Sequence, residues 1–396
     1  MIRNGLRPKL SRITHREVFV SFSEKRRKLR VGVLFGGQSG EHEVSLTSAQ
    51  GIMEAMDKNK YEVVPIGITK SGQWLTGGDI HQQLLDAAAG HPVIEAGAKA
   101  EPGHAAPVEN ALALPISATG PLDVVFPVLH GPFGEDGTVQ GFLELVGIPY
   151  VGAGVLGSAA GMDKAVCKDI FRAHGLPIVI HRTFLRRQWQ KDPQAVIDEC
   201  EAAIPYPMFV KPANLGSSVG IHKAKNREDL WMGLEDAVRY DRKLVVEQGL
   251  DAREIEVSVL GNDDPIASLP GEIIPSREFY SYAAKYIDGT SELLIPAPLS
   301  QEYIELVQQL AIMSFKALDC AGLARCDMLL EKATGEVFIN EINTMPGFTP
   351  ISMYPKLWAA SGLSYSELID RLIELALERH ADKQQSQMTF DVRQAE

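Results

Sequence analysis

The sequence lacks several features that would assign it to a class at once. No apolar run approaches the roughly 18 residues that a membrane helix needs. The four cysteines, Cys167, Cys200, Cys320 and Cys326, make neither a C-x-x-C pair nor a metal spacing. They read as buried, reduced thiols of a cytosolic protein. No G-K-[ST] occurs, so there is no Walker A loop, and no H-E-x-x-H supports a zinc protease. Positive charge is the minority sign: 39 Lys and Arg stand against 51 Asp and Glu, a formal net charge of −12. That argues against a general nucleic-acid binder, although a local cluster of cations can still serve one phosphate chain.

What is present points to a chain of mixed α/β and α+β class. At 396 residues and 45% apolar content it can bury two or three cores. Residues 1–29 stand apart. They are basic, end in Lys25-Arg26-Arg27-Lys28 and lack the apolar centre of a secretory signal, so they read as a disordered, non-catalytic extension. Residues 28–35 are an apolar run closed by Gly36-Gly37, which suits a buried parallel strand. A helical pattern follows, and 61–69, 122–131 and 148–154 read as further strands of an open parallel sheet. Residues 75–120 read as variable loops with room for one helix. A helix over 162–175 is ended by Gly175 and Pro177. Residues 206–226 read as strand, glycine-rich turn, strand, 230–241 as helix and 243–250 as strand. From Glu254 a period of two predicts antiparallel strands. Ser364 and Glu367 form a capping box that opens a helix with one apolar stripe: Leu368, Ile369, Leu372, Ile373, Leu375 and Ala376. Domain edges fall near Gly152 and Glu247, giving folded units 30–152, 153–247 and 248–380, with 381–396 as a polar, frayed tail.

Residues 322–343 carry the strongest local signal. Two apolar runs flank Lys332-Ala333-Thr334-Gly335, a hairpin pattern. With the turn centred on Thr334, Asp327 faces Glu341 and Arg325 faces Asn343, and alternation puts all four on one face. Cys326, Met328, Phe338 and Ile342 then fill the other. Two carboxylates, an amide and a guanidinium do not make a core. Such hard oxygens suit Mg²⁺, but a solvated face with cross-strand ion pairs fits the pattern equally well. The stretch from Lys211 to Gly220, with Ser217 and Ser218, can cradle a phosphate or simply turn a hairpin. Glu41, at a helix start after the first strand, suits a substrate ammonium or the helix dipole. His130 lies just past the third strand at the same sheet edge. Lys285 and Tyr286 set a cation beside a phenol in a loop.

Taken in order, GGQSGEHEVS, LHGPFGEDG, MDK, FVKPANLGSSVG, VEQ, AAKY, ARCD and NEINTMPGF resemble the D-alanine–D-alanine ligase family over residues 30 to about 380. The resemblance implies an N-terminal open parallel-sheet domain followed by a two-domain ATP-grasp fold, with ATP held between the two later domains. By motif position, Lys164 and Lys211 would contact ATP phosphates and Ser218 would also bind ATP. Glu247 would lie near the adenine, Glu254 near the ribose, and Phe279 would wall the base. Asp327, Glu341 and Asn343 would hold two Mg²⁺, with Mn²⁺ as a substitute. Glu41, Ser217 and Tyr286 would form a network around the first D-alanine, with His130 beside it. Arg325 and the N–H of Gly347 would stabilise an oxyanion, and Lys285 would meet the transferring phosphate. Ser352 and Met353 would face the second substrate. The implied activity is ATP-dependent joining of two D-alanines through an acyl phosphate, for peptidoglycan precursors. It implies a cytoplasmic homodimer that touches neither nucleic acid nor membrane. A D-alanine–D-lactate ligase or another ATP-grasp carboxylate–amine ligase is the alternative, and Tyr286 argues against the first. The basic extension lies outside the family pattern.

Overall fold

Strand β1 (Leu29–Gly36) is buried at every position from Val31 on, as an apolar run between two neighbours should be. It pairs in parallel with β2 (Tyr61–Ile68) and β4 (Val124–Val128), while β3 (Trp74–Thr76) adds an antiparallel edge to β2. The computed structural model describes residues 27–88, 120–216, 219–274 and 292–387. Helix α1 (His42–Ala55) follows β1, and α2 (Ile80–Ala88) is the helix for which the loop region had room. The run 148–154 is not the fourth strand expected of it. It makes one bridge, between Val125 and Tyr150, because Gly152 at φ +103° turns the chain away.

After α3 (Thr138–Val146), Gly152, Gly154 and Gly157 have the spacing of a dinucleotide-binding turn and open α4 (Val155–Met162). Their role here is packing: a Cβ on Gly157 would lie 2.9 Å from the carbonyl oxygen of Asp319. The helix expected over 162–175 begins only at Lys164, as α5 (Lys164–Ala173). Asp163 interrupts the run and caps the new helix, accepting from the N–H groups of Ala165 and Val166 at 3.1 Å each.

The middle sheet is antiparallel. Its strands β5 (His181–Leu185), β6 (Met208–Pro212), β7 (His222–Ala224) and β8 (Lys243–Gln248) run in the order β5-β8-β6-β7. Helices α6 (Arg186–Lys191), α7 (Pro193–Ala203) and α8 (Arg227–Ala237) accompany it, and all three pack into its core. The third sheet holds β9 (Ala252–Gly261), β10 (Ile266–Ala267), β11 (Gly271–Ile274), β12 (Glu292–Leu294), β13 (Gly322–Glu331) and β14 (Val337–Asn343). Its order is β12-β11-β9-β13-β14, with β10 on β9, and α9 (Gln301–Ala317) covers one face.

Helix α10 (Met353–Ala360) leads to α11 (Tyr365–Lys383). The capping box forms: the Ser364 N–H donates to Glu367 Oε2 at 3.0 Å, and the Glu367 N–H donates to Ser364 Oγ at 3.4 Å. All six stripe residues are buried, but against the first sheet, in one cluster with Val31, Phe126 and Val128. The helix also continues to Lys383, into the stretch expected to be a frayed tail. Among the described residues no helix is long and apolar enough to cross a membrane.

Candidate active site

The hairpin pairs as its sequence predicts at the chemical end: Asp327 opposes Glu341 and Arg325 opposes Asn343. Nearer the turn the register differs. Met328 opposes Ile339, Leu329 opposes Phe338, and Asn340 is the extra residue of a bulge. One consequence corrects the expected faces. Ile339, not Phe338, is buried in the core with Cys326, Met328 and Ile342, while Phe338 and Asn340 share the partly exposed side with Glu341 and Asn343.

On that side Arg325 donates from Nε and Nη2 to the two oxygens of Asp327, both at 2.7 Å, and Asn343 Nδ2 donates to Asp327 Oδ2 at 2.9 Å. Arg325 Nε also lies 2.9 Å from Oε2 of Glu256, a buried residue of β9 opposite Asp327. Burial opposes the guanidinium's charge, yet Asp327 and Glu256 raise its pKa well above the ordinary value. Glu256 has no part in the sequence reading. Its signal was the alternation of Glu254 and Glu256, which puts two acids on one face of a strand that is otherwise core.

The first sheet supplies the opposite wall. Gly36 and Gly37 turn the chain at φ +95° and +96°, and a Cβ on Gly36 would collide with the Ile68 carbonyl. Ser45 accepts from the Gly36 N–H and donates to the Val128 carbonyl, locking α1 onto the ends of β1 and β4. Glu41 enters the cleft from this turn with 9% exposure. His130 is buried. Its Nδ1 lies 3.0 Å from the carbonyl of Met345, which can only accept, so Nδ1 carries the proton and Nε2 faces Ser48 Oγ at 3.5 Å. Burial holds this imidazole below its usual pKa against the pull of Glu41, keeping it neutral.

The segment after Asn343 is held from several directions. The Met345 N–H donates to Glu135, the Phe348 N–H to Ser48 Oγ, and the Tyr365 hydroxyl donates to the Phe348 carbonyl at 2.6 Å. Phe348 itself is fully buried against Phe126 and Tyr354. Gly347 is therefore presented by fixed neighbours. Ser352 lies beside it, its hydroxyl bonded to Thr349 rather than capping α10. Met353 points into a cluster with Ile273 and Leu357.

The cleft is thus lined by Glu41, His130, Lys164, Arg325, Glu341, Asn343 and Gly347 together, with Gly216 from the β6–β7 turn. Lys164 Nζ donates to the Leu215 carbonyl at 2.9 Å and lies 3.8 Å from Glu341. Lys211 Nζ donates to Glu247 at 2.7 Å and reaches Asn340 Oδ1 at 3.3 Å. Burial works against its charge, but Glu247, Glu341 and Glu254 raise its pKa. Ser217, Ser218, Phe279, Lys285 and Tyr286 lie outside the described residues. The string Gly216-Ser217-Ser218-Val219-Gly220 spells G-x-S-x-G, but it joins two antiparallel strands, whereas a nucleophile elbow joins a strand to a helix.

Glu135 is a further residue without an assigned role in the sequence reading. It lines the cleft and accepts from the N–H groups of Gly131 at 2.6 Å and Met345 at 3.3 Å. Burial, then the charge of Glu41, pushes its pKa from 4.5 up to about 8. Between those values the folded state keeps a proton that the unfolded chain has released. This group therefore withdraws stability as pH rises through that window and adds no slope below it. Glu135→Gln, neutral at every pH, should flatten the fall of Tm between pH 5 and 8. Equal slopes for variant and parent would refute this role.

Comparison with known proteins agrees with this geometry. The family model described as D-ala D-ala ligase N-terminus matches residues 30–153, and the one described as D-ala D-ala ligase C-terminus matches 170–374. A D-alanine–D-alanine ligase of Natranaerobius thermophilus is 51% identical over 371 residues, which is 92% of this chain and 99% of that protein. The solved structure of the Coxiella burnetii D-alanine–D-alanine ligase superposes with a TM-score of 0.73 at 38% identity, covering 90% of this chain and 96% of that one. A D-Ala:D-Ser ligase from Enterococcus faecalis superposes with the same score at 34% identity, covering 88% and 100%. Matched along nearly its whole folded length by both domain models and by full-length relatives, the chain belongs to the D-alanine–D-alanine ligase family.

Proposed function

We propose that this protein joins two D-alanines into D-alanyl-D-alanine with conversion of ATP to ADP and phosphate. The supporting observation is the convergence of Glu41, His130, Lys164, Arg325, Glu341, Asn343 and Gly347 on one cleft. In the first step a carboxylate oxygen of one D-alanine attacks the γ-phosphorus, the bond to the bridging oxygen breaks, and ADP leaves. In the second, the amine of the other D-alanine attacks the acyl-phosphate carbonyl, phosphate departs, and the nitrogen gives up its proton. No protein nucleophile is needed, so the chain's work is positioning and charge stabilisation.

Glu41, with Ser217 and Tyr286, binds the first ammonium, and His130 lies alongside. Arg325 and the Gly347 N–H face the oxyanion, and Ser352 borders the second substrate, while Met353 packs behind it in the apolar cluster. Lys164, Lys211, Ser218 and Lys285 serve the phosphates, while Glu247, Glu254 and Phe279 serve the nucleoside. Asp327, Glu341 and Asn343 offer two carboxylates and an amide oxygen, a hard donor set that fits Mg²⁺ shared with phosphate oxygens. Bound Mg²⁺, or Mn²⁺, would withdraw charge from those oxygens. The chain divides near residues 152 and 247. The same reading carries a cytoplasmic homodimer that feeds peptidoglycan synthesis.

Phosphate release on mixing the protein with D-alanine, ATP and Mg²⁺, with D-alanyl-D-alanine as product, is the test. Release that requires D-lactate or D-serine as the second substrate would replace this reading with another ligase of the family. No release with any of them would refute it. A related prediction concerns Gly216, where a Cβ would sit 2.8 Å from Glu41 Oε2. Gly216→Ala should raise the KM for D-alanine about tenfold, the effect of roughly 1.4 kcal/mol of lost binding. An unchanged KM would show that Glu41 moves aside freely.

A further inference from the structure

Lys168 of α5 is 1% exposed, a rare state for a lysine, and it does not line the cleft. Its Nζ lies 3.3 Å from Glu247 Oε1 and donates to the Asn340 carbonyl at 3.1 Å. Glu247, 3% exposed, gives its other oxygen to Lys211 at 2.7 Å. Lys211 in turn reaches the side chain of the same Asn340. Two buried ammonium groups thus grip one carboxylate from two sides, and both hold the bulge residue of β14. The carboxylate belongs to the middle sheet and the bulge to the third. The bulge frees Asn340 from pairing with β13 and makes this double attachment possible.

We propose that Lys168 is a positioning residue for nucleotide recognition: it fixes the Glu247 carboxylate against the Asn340 bulge as the acceptor that reads the 6-amino group of adenine. This rests on the placement of Glu247 beside the base in the proposed function. An ionised carboxylate only accepts hydrogen bonds, so it matches an exocyclic amine and repels a 6-keto oxygen. Burial alone would raise the pKa of Glu247, but the charges of Lys168 and then Lys211 bring it down to about 2. Without Lys168 one carboxylate oxygen loses its partner, and the group is free to rotate or take a proton.

The test compares ATP with inosine triphosphate, which carries a keto oxygen at position 6, in the full-length protein with D-alanine. Lys168→Met should raise the KM for ATP about tenfold and narrow the ATP-over-inosine preference in kcat/KM by a similar factor, as expected for one lost charge-assisted contact. The KM for D-alanine should hold, and Lys168→Arg should recover most of both losses. A folded Lys168→Met enzyme with the parent's ATP KM and base preference, alongside an impaired Glu247→Gln, overturns the role of Lys168 alone. A Glu247→Gln enzyme with the parent's base preference overturns the reading of Glu247 as well. If Lys168→Met fails to fold, Lys168→Met/Glu247→Gln decides, since it keeps the net charge of the group. Behaviour equal to Glu247→Gln supports the proposal, and a further loss of base preference overturns it.

Discussion

Asp327→Asn should lower kcat by about 100-fold or more, roughly 2.7 kcal/mol of transition-state stabilisation, while the protein stays folded. Asp327 accepts from both nitrogens of the Arg325 fork and from Asn343. The amide keeps the size of the side chain but removes a formal charge from the proposed metal site. It also turns an NH₂ toward one of those donors, so Tm should drop by the equivalent of about 1–3 kcal/mol for an unsatisfied contact. Because the lost charge is a ligand's, the apparent affinity for Mg²⁺ should weaken as kcat falls. Turnover and a Mg²⁺ titration check this together. Parental turnover at low Mg²⁺ would remove Asp327 from the metal assignment.

Arg325→Lys should cost still more, about 1000-fold in kcat, on the scale of losing a principal oxyanion donor. The planar fork serves Asp327 bidentately and Glu256 at the same time, and a single ammonium cannot reproduce three contacts in that geometry. ATP binding should change little, because none of the groups around Lys211 and Glu247 moves. Arg325→Met should instead lose about 3–5 kcal/mol of stability, since it leaves two largely buried carboxylates without their cation. Single-turnover kinetics, nucleotide titration and thermal melts separate these effects. A lysine variant with parental kcat would show that the fork is structural only.

These variants bear on a site that was only partly legible in the sequence. The hairpin face could be read because side-chain alternation is a local property of strands, and the pairs Asp327–Glu341 and Arg325–Asn343 follow from it. A turn centred on Thr334 gives the right pairs at that end only because the bulge at Asn340 adds one residue. Nearer the turn the same centring puts Phe338 on the wrong face, since a bulge leaves no mark in hydrophobic periodicity. Glu256, Glu135 and Lys168 went unassigned for a different reason. Glu256 pairs with Arg325 on β13, Glu135 with Met345 as well as the nearby Gly131, and Lys168 with Glu247 on β8; apart from the alternation of Glu254 and Glu256, no local pattern announces these distant partners.

The sequence by itself determined the parallel first sheet, the β6–β7 and β13–β14 hairpins and the buried stripe of α11. Each rests on a periodicity or a cap formed by residues a few positions apart. Motif order alone carried the family. Only the tertiary structure decided that α11 returns to cover the first sheet, that 148–154 turns away after a single bridge, and that Gly347 is held in place by α1 and α11. For α11 the physical reason is that local pattern says which face must be buried, whereas what buries it depends on contacts between residues hundreds of positions apart, as does the Ser48–Phe348 bond beside Gly347. At 148–154 the reason is the positive φ of Gly152, which no periodicity announces.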